Sequence, residues 1–185
     1  MMRDLSMHIM DIVQNSISAG ARKIEIVVED PPEASEFFLF SVKDDGCGMD
    51  EEMVKKVRDP FSTSRTTRKV GLGIPMLEQT CTQCGGELEL KSEVGIGTYI
   101  CAKMCAGNMD RPPLGDIANT VLALAVSNED LDIIFKQMRG EKEYVFDTAQ
   151  IKEILEGVPF SEPEILGWLK ENLVEGVASI YREED

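Results

Sequence analysis

Positive charge is scarce in this chain. Its 185 residues hold 19 Lys and Arg against 34 Asp and Glu, a formal net charge of −15. Nucleic acids and anionic membranes both select for surplus positive charge, so neither is expected as the main partner. Long apolar runs are also missing. The longest, around Val121 to Val126, falls well short of the ~20 residues a membrane span needs. The opening MMRDLSMHIMD sets Arg3, Asp4, His8 and Asp11 among its apolar residues, a pattern foreign to the apolar core of a secretory signal, and a cytoplasmic protein is expected. His8 is the only histidine. The five cysteines (Cys47, Cys81, Cys84, Cys101 and Cys105) are odd in number, which favours free thiols over a disulfide framework. No Gly-x-x-x-x-Gly-Lys-Ser/Thr stretch occurs, which excludes a P-loop.

What is present is the balance of a folded protein, with 43% hydrophobic and 29% charged residues. Charge is unevenly spread: residues 1–105 carry 12 basic and 17 acidic side chains, residues 106–185 carry 7 and 17. Composition changes at AGNMDRPPLGD, where Pro112, Pro113 and three further turn-formers make a connector. The expected organisation is a first domain over 1–106, a linker over 107–116 and an acidic C-terminal module over 117–185.

In the first part, Leu5, Ile9, Ile12, Val13 and Ile17 recur at helical steps, which predicts an amphipathic helix over 4–19 ended by Gly20. His8, Asp11 and Asn15 share its other face. KIEIVVED and FFLFSVKD read as two adjacent strands, and the second runs into DDGCGMD, where two glycines let the backbone turn sharply beside a ligand. A short helix over 50–57 follows. From Lys55 to Lys69 lie six basic residues (Lys55, Lys56, Arg58, Arg65, Arg68 and Lys69) and one acid, Asp59. That cluster leads into VGLGIPMLEQT, a Gly-x-Gly turn opening onto an apolar helix, where N–H groups and the helix dipole suit phosphate oxygens. GGELELKSEVGIGTYICAKM reads as a hairpin with Thr98 just after its turn.

Short glycine motifs are individually weak signals, but four of them in this order and spacing point at one anionic ligand. They resemble the boxes of the GHKL ATP-binding superfamily, which includes gyrase, MutL, heat-shock chaperones of the ninety-kilodalton class and histidine-kinase catalytic domains. MDIVQNSISAGA resembles the N box, especially its MutL version. VKDDGCGM resembles the Asp-x-Gly-x-Gly box, DPFSTSRTTRKVGLGI the phenylalanine and second glycine boxes of histidine kinases, and GIGT the third. The resemblance covers about residues 3–105. It implies an α+β fold: a two-layer α/β sandwich whose mixed, mainly antiparallel sheet is covered by helices on one face, here with a small α-β-β-α-α extension.

The resemblance also implies roles. Asn15 matches the Mg2+ ligand, a hard oxygen donor suited to that cation. Asp44 matches the carboxylate that accepts a hydrogen bond from the adenine amino group. Gly46 and Gly48 pass under the base and Met49 packs on it. Phe61 begins a lid; Gly71, Leu72 and Gly73 offer N–H groups to the phosphates; Thr98 supports Asp44 and the base through its hydroxyl. Arg65, Arg68 and Lys69 are candidate contacts to the β- and γ-phosphates.

Departures from the pattern matter as well. Where hydrolysing members place a water-activating Glu, four residues before the Mg2+ ligand, this chain has Asp11, read either as general base or as the polar wall of the metal site. Lys69 replaces the first glycine of the kinase-type second box. No phosphoaccepting-histidine segment is recognisable, and His8 is read as an ordinary helix residue rather than an acceptor. Cys81 and Cys84 form Cys-x-x-Cys, and with Cys101 and Cys105 make a conceivable thiol cluster, although small apolar packing explains all four.

The C-terminal part reads as a helix over 115–127, a hairpin about Arg139-Gly140, a helix capped by Asp147 or Thr148, and a last helix holding Trp168. It carries no catalytic constellation and is expected to dock a partner, leaning on the first domain or on a second subunit in a homodimer. Two functions stay open: an ATP-Mg2+ phosphotransferase acting on a separate protein, or an ATP-gated regulatory switch or slow ATPase.

Overall fold

The computed structural model describes residues 2–62 and 72–182. Helix α1 (Leu5–Ser18) starts at Asp4, whose carboxylate accepts from the Met7 N–H, and buries Leu5, Ile9, Ile12 and Val13. Strands β1 (Lys23–Glu29) and β2 (Phe37–Asp44) follow, then α2 (Glu51–Arg58), α3 (Gly73–Gln83) and the hairpin β3 (Glu87–Glu93) and β4 (Gly97–Cys105). The C-terminal part adds α4 (Ile117–Ser127), β5 (Asp132–Arg139), β6 (Lys142–Asp147), α5 (Thr148–Leu155) and α6 (Pro163–Ser179).

The six strands of the described residues form one sheet in the order β3-β4-β2-β1-β5-β6. Every neighbouring pair is antiparallel except β1 and β5, which run parallel with Ile24 beside Ile133 and Ile26 beside Phe135. Alternation along the strands sends Ile24, Ile26, Val28, Phe38, Phe40, Val42, Ile100, Ala102, Ile133 and Phe135 into a single core shared with the apolar stripes of the helices. Glu25, Val27, Ser41 and Lys43 occupy the alternate positions on the other face. The result is the expected two-layer α/β sandwich, with helices on one face of a mixed sheet.

The connector is more than a spacer. The N–H groups of Leu5 and Ser6, unpaired within α1 by the geometry of a helix start, donate to the carbonyls of Pro113 and Leu114 at 2.9 and 2.8 Å. Residues 113 and 114 therefore hold the entry of the helix that carries Asp11 and Asn15.

Candidate nucleotide site

Register builds the floor of the site. Asp44 at the end of β2 lies opposite Thr98 of β4, and Thr98 lies opposite Ser92 of β3, so three polar side chains form one cross-strand row on the core side of the sheet. The Asp44 carboxylate is held by three donors: Ser16 Oγ at 2.6 Å, the Gly46 N–H at 2.9 Å and the Thr98 N–H at 3.2 Å. Charge-assisted bonds of this kind fix a carboxylate in orientation as well as position.

Thr98 therefore reaches Asp44 differently from the expectation. Its hydroxyl lies 2.8 Å from Ser92 Oγ, and only its N–H meets Asp44. The antiparallel register turns the Thr98 side chain toward the neighbouring hairpin strand. Ser92 in turn accepts from the Met49 N–H at 2.8 Å, which ties the glycine turn to the same row. Ser16 and Ser92 were not singled out from sequence. Ser92 sits six positions before Thr98 across a recognisable hairpin, whereas Ser16 meets Asp44 only through the packing of α1 on the sheet.

The Asp-Gly-x-Gly turn is clamped from two sides. The Cys47 N–H donates to the Ala19 carbonyl at 2.9 Å, and its own carbonyl accepts from the Gly95 N–H at 2.8 Å. Gly48 has φ +68°, and a Cβ there would sit 1.9 Å from the Glu93 carbonyl oxygen. Only glycine meets both conditions. Met49 packs half-buried against the core.

Above this floor, α1 presents Asp11 and Asn15, both half-buried, one turn apart. Asp11 faces the start of α3 at very close range: a Cβ on Gly73 would lie 1.9 Å from Asp11 Oδ2. His8, one turn earlier on α1, is buried at 3% exposure, and burial lowers its imidazole pKa below the usual value despite the nearby carboxylates of Asp11 and Asp4. Phe61 and Leu72, the described ends of the expected lid, are exposed. Arg65, Arg68, Lys69 and Gly71 lie outside the described residues.

Of the remaining basic cluster, Lys55 and Lys56 are exposed on α2. Arg58 is committed elsewhere. It pairs with Glu78 of α3, Nη2 to Oε1 at 2.5 Å, and donates to the Leu88 carbonyl, which braces α2 against α3 and β3. The cysteines divide between environments: Cys81 and Cys84 are buried in the core, while Cys101 and Cys105 occupy the half-buried alternate positions of β4. Burial pushes the Cys81 thiol up to about 12. Among the described residues no group of three or more His, Cys, Asp or Glu side chains is arranged to hold a metal ion. No helix among them is long and apolar enough to cross a membrane.

This geometry joins a clamped carboxylate with glycine turns and a polar helix face. Residues 3–107 match the family of histidine kinase-, DNA gyrase B- and HSP90-like ATPases. The chain belongs to that family, and residues 3–107 form a kinase-type ATP-binding domain. Sporulation kinase C of Bacillus subtilis is 32% identical over 88 residues, which are 48% of this chain and 20% of that protein. Sensor kinase CckA of Brucella abortus is 36% identical over 86 residues, 46% of this chain and 9% of that one. The chain thus spans a fifth or less of these kinases. Among solved structures, the N-terminal domain of a DNA repair protein aligns over 95% of this chain and 57% of its own, with TM-score 0.53 and 15% identity, a likeness of fold. The Aquifex aeolicus MutL ATPase domain complexed with ADP aligns over 84% of this chain and 70% of its own, with TM-score 0.49 and 16% identity.

Proposed function

We propose that the protein is an ATP-Mg2+ phosphotransferase that passes the γ-phosphate to an acceptor on a separate protein. The observation that carries the nucleotide part is the Asp44–Thr98–Ser92 row. It holds a fixed carboxylate, with Ser16 behind it, where an adenine amino group can donate. Asn15 stands on the same face of α1 as Asp11, and the close approach of α1 to Gly73 leaves no Cβ between this polar face and the start of α3. That donor set suits a hard cation, with Asn15 as the metal ligand. Bound Mg2+ would neutralise phosphate charge, and the protein's share is positioning.

The kinase relatives support transfer over simple hydrolysis, and Asp11 is the candidate general base in either case. Its carboxylate is one methylene shorter than the glutamate of hydrolysing members, which limits its reach toward a water. The acidic face of residues 117–185 serves to dock that partner or a second copy of the chain.

The test is incubation of purified protein with γ-labelled ATP and Mg2+, alone and with cell extract. Label on a second protein is the expected result. Free phosphate alone would instead support the slow ATPase, and neither product would leave an ATP-gated switch.

A further inference from the structure

A serine hydroxyl has one proton and two acceptor lone pairs, and at Ser92 three groups share them. The Met49 N–H, at 2.8 Å, can only donate; the Gly97 carbonyl, at 3.1 Å, can only accept; Thr98 Oγ1, at 2.8 Å, can do either. One assignment satisfies all three. Ser92 accepts from Met49, gives its proton to the Gly97 carbonyl and has a single lone pair left, so the Thr98 hydroxyl is the donor between the two side chains. The opposite direction spends the Ser92 proton on Thr98 and leaves the Ser92 and Gly97 oxygens facing each other with no hydrogen between them.

The consequence lies one strand further along the row. With its proton held by Ser92, Thr98 Oγ1 keeps only lone pairs for any other partner. Asp44, its direct neighbour in the β2–β4 register, is an acceptor as well, engaged by the Ser16 hydroxyl and by the Gly46 and Thr98 N–H groups. Both residues are half-buried rather than sealed in the core. Two neighbouring acceptors suit the exocyclic amino group of a base, which brings hydrogens, and oppose a 6-oxo group, which brings only another oxygen lone pair.

We propose that Ser92 is a positioning residue for base selection: by holding the Thr98 proton it makes the nucleotide pocket favour 6-amino purines over 6-oxo purines. The inference rests on the nucleotide-site reading above and adds to Asp44 a second discriminating group, whose polarity is set from β3. Ser92 acts through Thr98 and has no need to touch the base.

Isothermal titration calorimetry of the full chain with ATP and with ITP, which carries oxygen in place of the 6-amino group, tests it in excess Mg2+. Wild type should prefer ATP. Ser92→Ala frees the Thr98 proton to donate to the 6-oxo group, and the ratio of the ITP Kd to the ATP Kd should fall about tenfold. Ser92→Thr keeps the hydroxyl and should stay within about twofold of the wild-type ratio. Ser92→Cys, whose sulfur accepts only weakly, should shift the ratio in the same direction as alanine and serves if the alanine variant does not fold. In a Thr98→Val background there is no proton to release, so adding Ser92→Ala should change the ratio by less than about twofold.

A Ser92→Ala protein that keeps the wild-type ratio, or that weakens ATP and ITP equally, would overturn the proposal and leave the nucleotide site standing. The same fall in the Thr98→Val background would overturn it too, because the effect would then not pass through Thr98. Wild type that binds neither nucleotide would remove the nucleotide-site reading itself and the inference with it.

Discussion

Asp44 accepts three hydrogen bonds, and Ser16 supplies the shortest of them, at 2.6 Å. Removing that hydroxyl frees one carboxylate oxygen to rotate away from the adenine position proposed above while the two backbone donors remain. Hydrogen bonds to charged groups contribute about 1.5–3 kcal/mol, so Ser16→Ala should weaken ATP binding by roughly 10- to 100-fold. Calorimetric titration checks this, and a change under about twofold would show that the backbone donors alone orient Asp44. His8 makes a pH prediction. Its folded pKa lies below the ordinary 6.5 because burial disfavours the charged imidazolium. Below pH 6.5 the unfolded chain binds the proton first, so this contribution to stability is complete above that value and is lost as pH falls through the folded pKa. In thermal melts from pH 8 to 5, His8→Asn should lose less stability than wild type. Identical slopes would show that burial of the imidazole is not the cause.

At the scale of elements, the end of α6 is tied to the sheet by a polar latch. Tyr181 Oη donates to Asp30 Oδ2 at 2.7 Å and accepts from Gln137 Nε2 at 3.0 Å, while Arg139 stacks over the Tyr181 ring and donates to the Pro31 carbonyl. Gln137 is fully buried on β5, and its Oε1 has no partner among the described residues. Tyr181→Phe would leave the whole amide unpaired, at a cost of about 1–3 kcal/mol. In a chain of this size that lowers Tm by roughly 2–12 °C, readable by calorimetry, whereas an unchanged Tm would mean that water replaces the hydroxyl. This latch also marks where sequence reading stops. Helix α1, the β3–β4 hairpin and the glycine turn were legible because apolar periodicity and turn residues are local signals. The order of α-β-β-α-α elements in the C-terminal part was legible for the same reason. The parallel pairing of β1 with β5 was not, since it joins residues more than a hundred positions apart with no turn between them. Ser16, Ser92 and the Asp11–Gly73 contact escaped for a related reason: each depends on register or helix packing, and neither is written in a motif.

At the scale of the molecule, β1 lies inside the sheet, with β2 antiparallel on one side and β5 parallel on the other. A cut within the 107–116 connector therefore does three things to the ATP-binding part. It exposes the backbone edge of β1 as a template for pairing with other chains. It uncovers Ile24 and Ile26, which lie beside Ile133 and Phe135, and the part of α1 that packs on α4. It also removes the Pro113 and Leu114 carbonyls that satisfy the first N–H groups of α1. Each large apolar side chain brought from water into the core contributes about 1.5–3 kcal/mol, so partial exposure of only a few rivals the 5–15 kcal/mol of a typical domain. A fragment of residues 1–106 should therefore elute from size exclusion as soluble aggregate and melt without a sharp transition. Co-expression with residues 107–185 should restore a cooperative melt and ATP binding together, because the same contacts that complete the sheet hold the helix bearing Asp11 and Asn15. A monomeric 1–106 fragment with a sharp transition and wild-type ATP affinity would show that the C-terminal strands lie on an already complete domain.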